Sequence, residues 1–182
     1  MKNNLSYIIC LFLFVILFFH NKINANEISF STSEILITDN GNIANTGQGS
    51  AYSEVDNIKI DGESFKFDKN NSILIANNAR TILSEKNIEL IADQLIYDQK
   101  VSTIKAFGNV EINDLLNEIK FKSEEAIYNK NKGAIVSNTK SFFTDKPGNN
   151  FIAEQFIYTF DDNLIKIFKS KITDIQNNVY HI

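Results

Sequence analysis

The sequence has very few residues of the types that ligate zinc or act as nucleophiles and general bases. It contains one cysteine, Cys10, and two histidines, His20 and His181. If the segment before residue 26 is removed, only His181 is left, and Ser-His-acid, Cys-His and His-rich zinc arrangements are excluded or strained. We therefore expect a protein that is not an enzyme and needs no cofactor and no metal, and whose fold no disulfide stabilises.

The amino-terminal segment has the order of a secretory signal peptide. Lys2 precedes an uninterrupted apolar run over residues 8–19, and Ala25 ends a small-residue cleavage site. The run is shorter than the ~18 residues that a membrane-spanning helix usually needs. We expect residues 1–25 to be a cleaved signal peptide and residues 26–182 to form one exported domain, with an uncleaved membrane anchor as the alternative.

Positive charge is also scarce. The chain has 18 basic residues against 22 acidic ones, a net charge of −4, and its one arginine is Arg80. Removal of Lys2 and Lys22 with the signal peptide leaves 16 basic residues against 22 acidic ones, a charge of −6. A concentrated basic surface of the kind that nucleic acids require is therefore not expected, and neither is a nucleic-acid partner.

Beyond residue 26 there is one proline and no long apolar run, and the apolar residues alternate with a period of two. Ile104, Ala106, Val110 and Ile112 fall on one side of a stretch whose other side is mostly polar. This pattern is typical of a half-buried β-strand. Clusters of Asp, Asn and Gly separate such stretches and predict turns, and Pro147 lies in one of these turns. The pattern predicts an all-β fold.

A repeat of about 30 residues organises these strands, and six of its columns agree across four copies. The aromatic column is Phe67, Tyr97, Tyr128 and Tyr158. Four positions before it lies an acid column, Glu63, Asp93, Glu124 and Glu154. Each copy reads as two strands around a turn that must stack on its neighbours to bury an apolar face. A degenerate fifth copy, over residues 28–37, precedes the others.

The parity of the pattern changes within the first strand of each copy, as between Ala92 and Leu95. Such a change predicts a bulge or corner, which folds a ribbon of strands into a sandwich or a half-closed roll. The acid column lies at this corner. Paired carboxylates for glycoside hydrolysis are an alternative interpretation of these acids. A structural role is favoured, because each acid occupies the same place in a repeat.

The second copy carries a resemblance to a known family. The segment ADQLIYD at residues 92–98, followed by IKAFGNVEI at residues 104–112, resembles the OstA-like repeat of LptA-type lipopolysaccharide transport domains. The third and fourth copies keep the acid and the tyrosine and diverge elsewhere. The resemblance implies a β-jelly-roll, a twisted and open antiparallel roll, located in the periplasm or associated with the outer membrane.

The resemblance also implies a ligand and partners. The ligand is lipopolysaccharide, whose acyl chains would lie in an apolar groove and gain roughly 0.8 kcal/mol per buried methylene, and the partners are other Lpt-type envelope proteins. Packing in a dry core is the alternative role for every inward-facing residue. The groove columns give the following candidates for lipid contact: Leu95, Ile104, Ala106, Val110, Phe121, Phe156 and Ile165.

Three functions stay open at this stage. The first is a periplasmic carrier or bridge that moves lipopolysaccharide toward the outer membrane, in the manner of LptA. The second is the periplasmic amino-terminal domain of an LptD-type assembly protein, truncated or separate from its barrel. The third is a surface β-solenoid, an adhesin or a carbohydrate-binding repeat, although a two-strand unit of 30 residues argues against it.

The last residues of the sequence predict self-association. Residues 177–182, NNVYHI, form a strand-like stretch without proline or a full charge to protect an exposed edge. Residues 28–37 are likewise apolar. Edge strands at both ends of a sheet can pair head to tail and extend one roll into the next. The alternative is that the edge is exposed because a longer protein has been truncated.

Overall fold

The computed structural model describes residues 28–83 and 87–182. The predicted signal peptide, residues 1–25, lies outside these ranges. Within them, fifteen β-strands and two single-turn 3-10 helices make up the regular structure. No helix of the described ranges combines the length and the apolar character needed to cross a membrane.

The strands become longer after the first third of the chain. The first six are short: β1 (Ile28–Thr32), β2 (Ile35–Thr38), β3 (Ile43–Thr46), β4 (Gly49–Ser53), β5 (Ile58–Gly62) and β6 (Ser64–Asp68). Then come four long strands: β7 (Ile73–Leu83), β8 (Ile88–Asp98), β9 (Thr103–Asp114) and β10 (Ile119–Asn129). The last five are β11 (Ala134–Ser137), β12 (Ser141–Thr144), β13 (Asn150–Thr159), β14 (Leu164–Thr173) and β15 (Val179–His181). The 3-10 turns are Asp39–Gly41 and Lys130–Lys132.

Every strand pair of the described residues is antiparallel. This pairing excludes the parallel β-solenoid that was open at the sequence level, because its coils would stack parallel strands. The turns between the strands have the expected chemistry. Asp114, for example, accepts hydrogen bonds from the backbone N–H groups of Leu116 and Asn117 at 3.0 and 2.8 Å, an Asx-type turn.

The sheet folds into two facing layers because the long strands bend in their middle. Layer A contains β1, β4, β5, β12, β15, the carboxyl halves of β7, β9 and β14, and the amino halves of β8, β10 and β13. Layer B contains β2, β3, β6, β11 and the other halves of the long strands. We call the line of bends the corner, and the opposite side, where the turns of the two layers meet, the mouth.

The corner confirms the bulge predicted from the change of parity. The register between β8 and β9 shifts between Ile91 and Gln94, and that between β10 and β9 shifts between Ser123 and Glu125. Opposite the first shift, Gly108 and Asn109 have φ of +71° and +45°. Left-handed backbone is accessible to Gly and Asn at low cost, and it turns β9 from one layer into the other.

The interior between the layers is largely apolar and is filled by side chains of the chain itself. Inward positions alternate along every long strand, and the largest fully buried side chains include Tyr97, Phe121, Tyr158 and Leu90. A single apolar cluster runs from Ile28 in β1 to side chains of β13. This is the core that a two-strand repeat buries by stacking on its neighbours.

Candidate functional site

The predicted lipid-contact residues lie together in the interior between the layers. Val110 and Phe121 project from layer A, and the other five belong to layer B. Leu95 and Ala106 are direct cross-strand neighbours. Six of the seven have at most 1% of their surface exposed, while Ile165, near the free edge of layer B, is partly buried.

Protein side chains occupy the space around these residues in this conformation. The ring of Phe121 stacks on that of Phe156 across the two layers, with centroids 4.9 Å apart. Phe121 also stacks on Tyr158 at 5.7 Å. Offset stacking of this kind adds roughly 0.5–1.5 kcal/mol per pair to the burial of the rings. Contact of these residues with lipid therefore requires the layers to separate, and it stays a prediction.

Two members of the acid column, Glu63 and Asp93, have the structural role that the repeat favoured. Glu63 accepts a hydrogen bond from the Asn78 side chain at 2.7 Å, and Asp93 accepts one from Asn109 at 2.9 Å. Both asparagines have positive φ. At the corner, each carboxylate thus binds an asparagine of a neighbouring strand whose backbone is left-handed. The described residues contain no group of His, Cys, Asp and Glu arranged to hold a metal ion.

A first group of polar contacts closes the mouth near the amino-terminal half, and we call it the Asp56 latch. Asp56, in the layer A turn after β4, is 6% exposed. It accepts hydrogen bonds from the hydroxyls of Tyr97 at 2.5 Å and Ser102 at 2.9 Å, both from layer B. The Lys130 amine lies 2.7 Å from the carbonyl of Asp56 and 3.4 Å from its carboxylate. Burial, followed by the bond to Asp56, raises the pKa of the Tyr97 hydroxyl.

A second group, the Asp114 latch, closes the mouth near the carboxyl-terminal half. The hydroxyl of Tyr158, from layer B, donates to the Asp114 carboxylate of layer A. The Asn117 side-chain amide donates a hydrogen bond to the Asp114 carboxylate at 2.8 Å. It also donates one across the mouth to the Asn163 side-chain oxygen at 3.4 Å. Burial acts to raise the pKa of Asp114, but the hydrogen bonds from Tyr158 and Asn117 outweigh it, and the pKa lies below its usual value.

The latches explain the aromatic column better than the sequence alone did. Tyr97 and Tyr158 belong to that column. The Tyr97 hydroxyl donates to Asp56, 41 residues earlier in the chain, and the Tyr158 hydroxyl donates to Asp114, 44 residues earlier. Sequence reasoning did not identify Asp56 or Asp114. A usable signal was present, because a tyrosine at an inward position must find a hydrogen-bond partner for its hydroxyl.

Apolar side chains are exposed on the turns that carry the latches. Val55 and Val101 flank the Asp56 latch and have about half of their surface exposed, at 54% and 52%. Leu115 and Leu116 follow Asp114 directly and are 54% and 67% exposed. At the mouth, the hydrogen bonds of the latches therefore lie between exposed apolar side chains, and the apolar interior lies behind them.

Exposed apolar residues also mark the free edges of both layers. At the amino-terminal end, β2 exposes three consecutive apolar residues, Ile35, Leu36 and Ile37. At the carboxyl-terminal end, β15 exposes Val179 and Tyr180. Neither strand has a second neighbour among the described residues, so each presents unpaired backbone groups. Head-to-tail association through these edges stays a prediction.

Comparisons with known proteins find matches among solved structures. No family model matches the chain, and no curated protein matches it. The fold is similar to that of LptH, the LptA homologous periplasmic component of the conserved lipopolysaccharide transport device from Pseudomonas aeruginosa, with a TM-score of 0.54 and 11% sequence identity. The match covers 69% of this chain and 93% of that one. The β-jelly-roll predicted from the sequence is confirmed.

Proposed function

We propose that this chain is a periplasmic protein that binds lipopolysaccharide and moves it toward the outer membrane, as a carrier or bridge. The observation that carries the proposal is a two-layer antiparallel roll with a largely apolar interior, similar in fold to LptH. The similarity concerns the fold. The ligand and the partners, other Lpt-type envelope proteins, are inferred from the chemistry of the interior and from the resemblance of the repeat.

The architecture suits a ligand with long acyl chains. The interior cluster extends along most of the described roll, from β1 to β13. Each methylene that leaves water gains roughly 0.8 kcal/mol. An acyl chain that replaced contacts between the layers would therefore recover much of the free energy lost on separating them. An interior of this composition offers little to a polar substrate such as a sugar.

Basic side chains near the carboxyl-terminal corner provide a place for phosphate groups. Lys140, Lys169, Lys171 and His181 line a concavity of about 600 Å³, together with the acidic Glu154. Lys169 pairs with Glu154 at 3.0 Å. On a chain with net negative charge, such a local excess of cations favours an amphiphile whose head group is anionic.

Site-specific photocrosslinking tests the proposal. A diazirine amino acid at Ile104 and benzoylphenylalanine at Phe156 would report on the interior. The same groups at Lys105 and Lys166, which neighbour the test positions and face solvent, serve as matched controls. We expect lipopolysaccharide to be trapped at the two interior positions and not at the controls.

Two outcomes of this experiment would contradict the proposed function. Equal labelling at all four positions would indicate surface adsorption, and no labelling at any of them would remove the carrier function. Circular dichroism of each labelled variant must show the β-signal of the parent chain, so that a loss of labelling reports on binding and not on folding.

A further inference from the structure

The interior has no open connection to solvent at six of the seven predicted lipid positions, because these side chains are almost completely buried. A ligand must therefore enter by separating the layers somewhere. The corner is a poor place for this. The backbone of β7, β8, β9, β10, β13 and β14 runs through it, so the layers cannot part there without bending six strands and breaking ladder hydrogen bonds.

The mouth is held differently. At the Asp114 latch, side-chain hydrogen bonds join the turn after β9 to the end of β13 and the turn that follows it. A hydrogen bond of this type contributes only about 0.5–1.5 kcal/mol net, or roughly 1.5–3 kcal/mol when one partner is charged. Opening this latch breaks a few side-chain hydrogen bonds and exposes the ring of Tyr158, whereas opening the corner disrupts the ladders of six strands.

Tyr158 connects the latch to the interior. Its hydroxyl bonds Asp114, while its ring lies 5.7 Å from Phe121 and 5.2 Å from Phe160. The ring therefore forms the wall between the mouth and the stack of Phe121 on Phe156. Release of the hydroxyl frees the one polar anchor of this ring and exposes the predicted lipid positions behind it.

The outer side of the latch is suited to an amphiphile. Leu115 lines a concavity of about 650 Å³ that also contains Lys120 and Lys146. The concavity also holds three acids against its two lysines, and each acid has a partner within the chain. Asp114 and Asp145 cap their own turns, and Glu118 pairs with Lys146 at 2.6 Å between exposed groups, a contact that solvent weakens. An acyl chain on the leucine tips and an anionic group on the lysines can be held together.

We propose that the Asp114 latch is the entrance of the roll, where the acyl chain of an anionic amphiphile contacts Leu115 and Leu116 and passes into the interior as Tyr158 swings away from Asp114. The inference rests on the proposed function, since it names the route by which the same ligand reaches the same residues. Tyr158 and Asp114 are positioning residues that control access.

A reversible staple across the mouth tests this route. In the full chain with Cys10→Ser and benzoylphenylalanine at Phe156, Asn117→Cys and Asn163→Cys would be bridged by a short bis-methanethiosulfonate reagent. The probe is purified lipopolysaccharide, and the measurement is the rate of crosslinking after mixing. We expect the staple to slow capture at least tenfold and reduction to restore it.

The matched control is a staple within one layer. Glu111 and Lys122 are cross-strand partners on layer A, and the Lys122 amine lies 2.6 Å from the Glu111 carboxylate. The same reagent between cysteines at these two positions should leave the rate of crosslinking unchanged. Tyr158→Phe, which keeps the ring and removes the anchor, should raise the rate severalfold without a staple.

The outcomes separate the two proposals. If the unstapled chain captures lipopolysaccharide and the mouth staple has no effect, the ligand enters from the ends of the roll, and the entrance proposal fails while the proposed function stands. Absence of capture in the unstapled chain would overturn both. Equal slowing by both staples would show a general loss of flexibility and would also overturn the entrance proposal.

Discussion

At the scale of single residues, the two tyrosine hydroxyls of the latches combine an apolar role with a polar one. Their rings pack in the core, and their hydroxyls reach carboxylates on the opposite layer. Burying a ring whose polar tip is satisfied costs little, but the same tip without a partner is expensive. The latch partners should therefore contribute measurably to stability.

Tyr97→Phe should destabilise the fold by roughly 1–3 kcal/mol, because it removes the hydroxyl that bonds both Asp56 and Ser53 and leaves the buried carboxylate with fewer donors. Urea unfolding of the two proteins measures the difference. Tyr52→Phe is the matched control, since the Tyr52 hydroxyl bonds Asn57 in an exposed position and its removal should cost less than about 1 kcal/mol. Equal losses would show that the Asp56 latch has no special role.

The depressed pKa of Asp114 predicts how the stability of the fold changes with pH. Since its pKa in the folded chain lies below the usual value near 3.8, the folded state binds this proton less readily than the unfolded state does. The stabilisation is complete above the unfolded pKa and is lost as the pH falls through the folded one. Asp114→Asn should therefore be less stable than the parent at pH 6, with the two unfolding free energies converging in strong acid. A constant difference down to pH 2 would contradict the assignment.

At the scale of elements, the corner shows why the repeat carries a glycine step in its second copy. Gly108 has φ of +71°, and a Cβ at this position would lie 2.5 Å from the Asp93 carboxylate. The left-handed backbone and the close approach both require glycine. Copies without glycine reach the same bend with another residue, such as Asn78 at φ +43°.

Gly108→Ala should consequently cost more than backbone strain alone, roughly 2 kcal/mol or more. Gly133→Ala is a matched control with a similar φ of +54°, where a Cβ would come no closer than 3.7 Å to Asp161, and only the strain of about 1 kcal/mol applies. Thermal or urea unfolding compares the two variants. If both lose the same amount, the contact with Asp93 does not limit the corner.

At the scale of the whole molecule, we expect the free edges of the roll to determine whether copies associate. Exposed apolar residues lie on β2, at the amino-terminal edge of layer B, and on β15, at the carboxyl-terminal edge of layer A. An edge of one copy could pair with the opposite edge of the same layer in the next copy, β15 with β1 in layer A and β14 with β2 in layer B, and the interior would then continue from copy to copy. A continuous interior of this kind would support the proposed function as a bridge.

Residues 26–182 should therefore self-associate as their concentration rises. Lysine at Val179 and Ile182 should weaken that association by placing charge on the edge, and proline at Tyr180 should weaken it by disrupting the pairing of β15 with β14. Sedimentation measures the effect. Phe142→Lys is the control, because Phe142 is an exposed apolar residue on the outer surface of β12, a strand with neighbours on both sides. A chain that stays monomeric at high concentration, with or without the substitutions, would end the bridging model.

Local physics accounts for what could be predicted from the sequence. Alternation with a period of two, Asp and Asn at the turns and a change of parity at Ala92 depend on neighbouring residues only, so they indicated strands, hairpins and the corner correctly. The resemblance of the second copy added the jelly-roll. The inward position of Leu95, Ile104 and Phe156 likewise followed from the repeat columns.

Only the tertiary structure decided how the two layers meet. Whether the interior is filled depends on the distance between layers, and the pairing of Tyr97 with Asp56 and of Tyr158 with Asp114 joins residues 41 and 44 positions apart. No local pattern encodes such a separation, because it results from the number of strands that the sheet places between a turn of one layer and the end of a strand in the other. The sequence by itself thus determined the strands and the apolar faces, while the folding of one sheet onto itself determined which polar groups close the mouth.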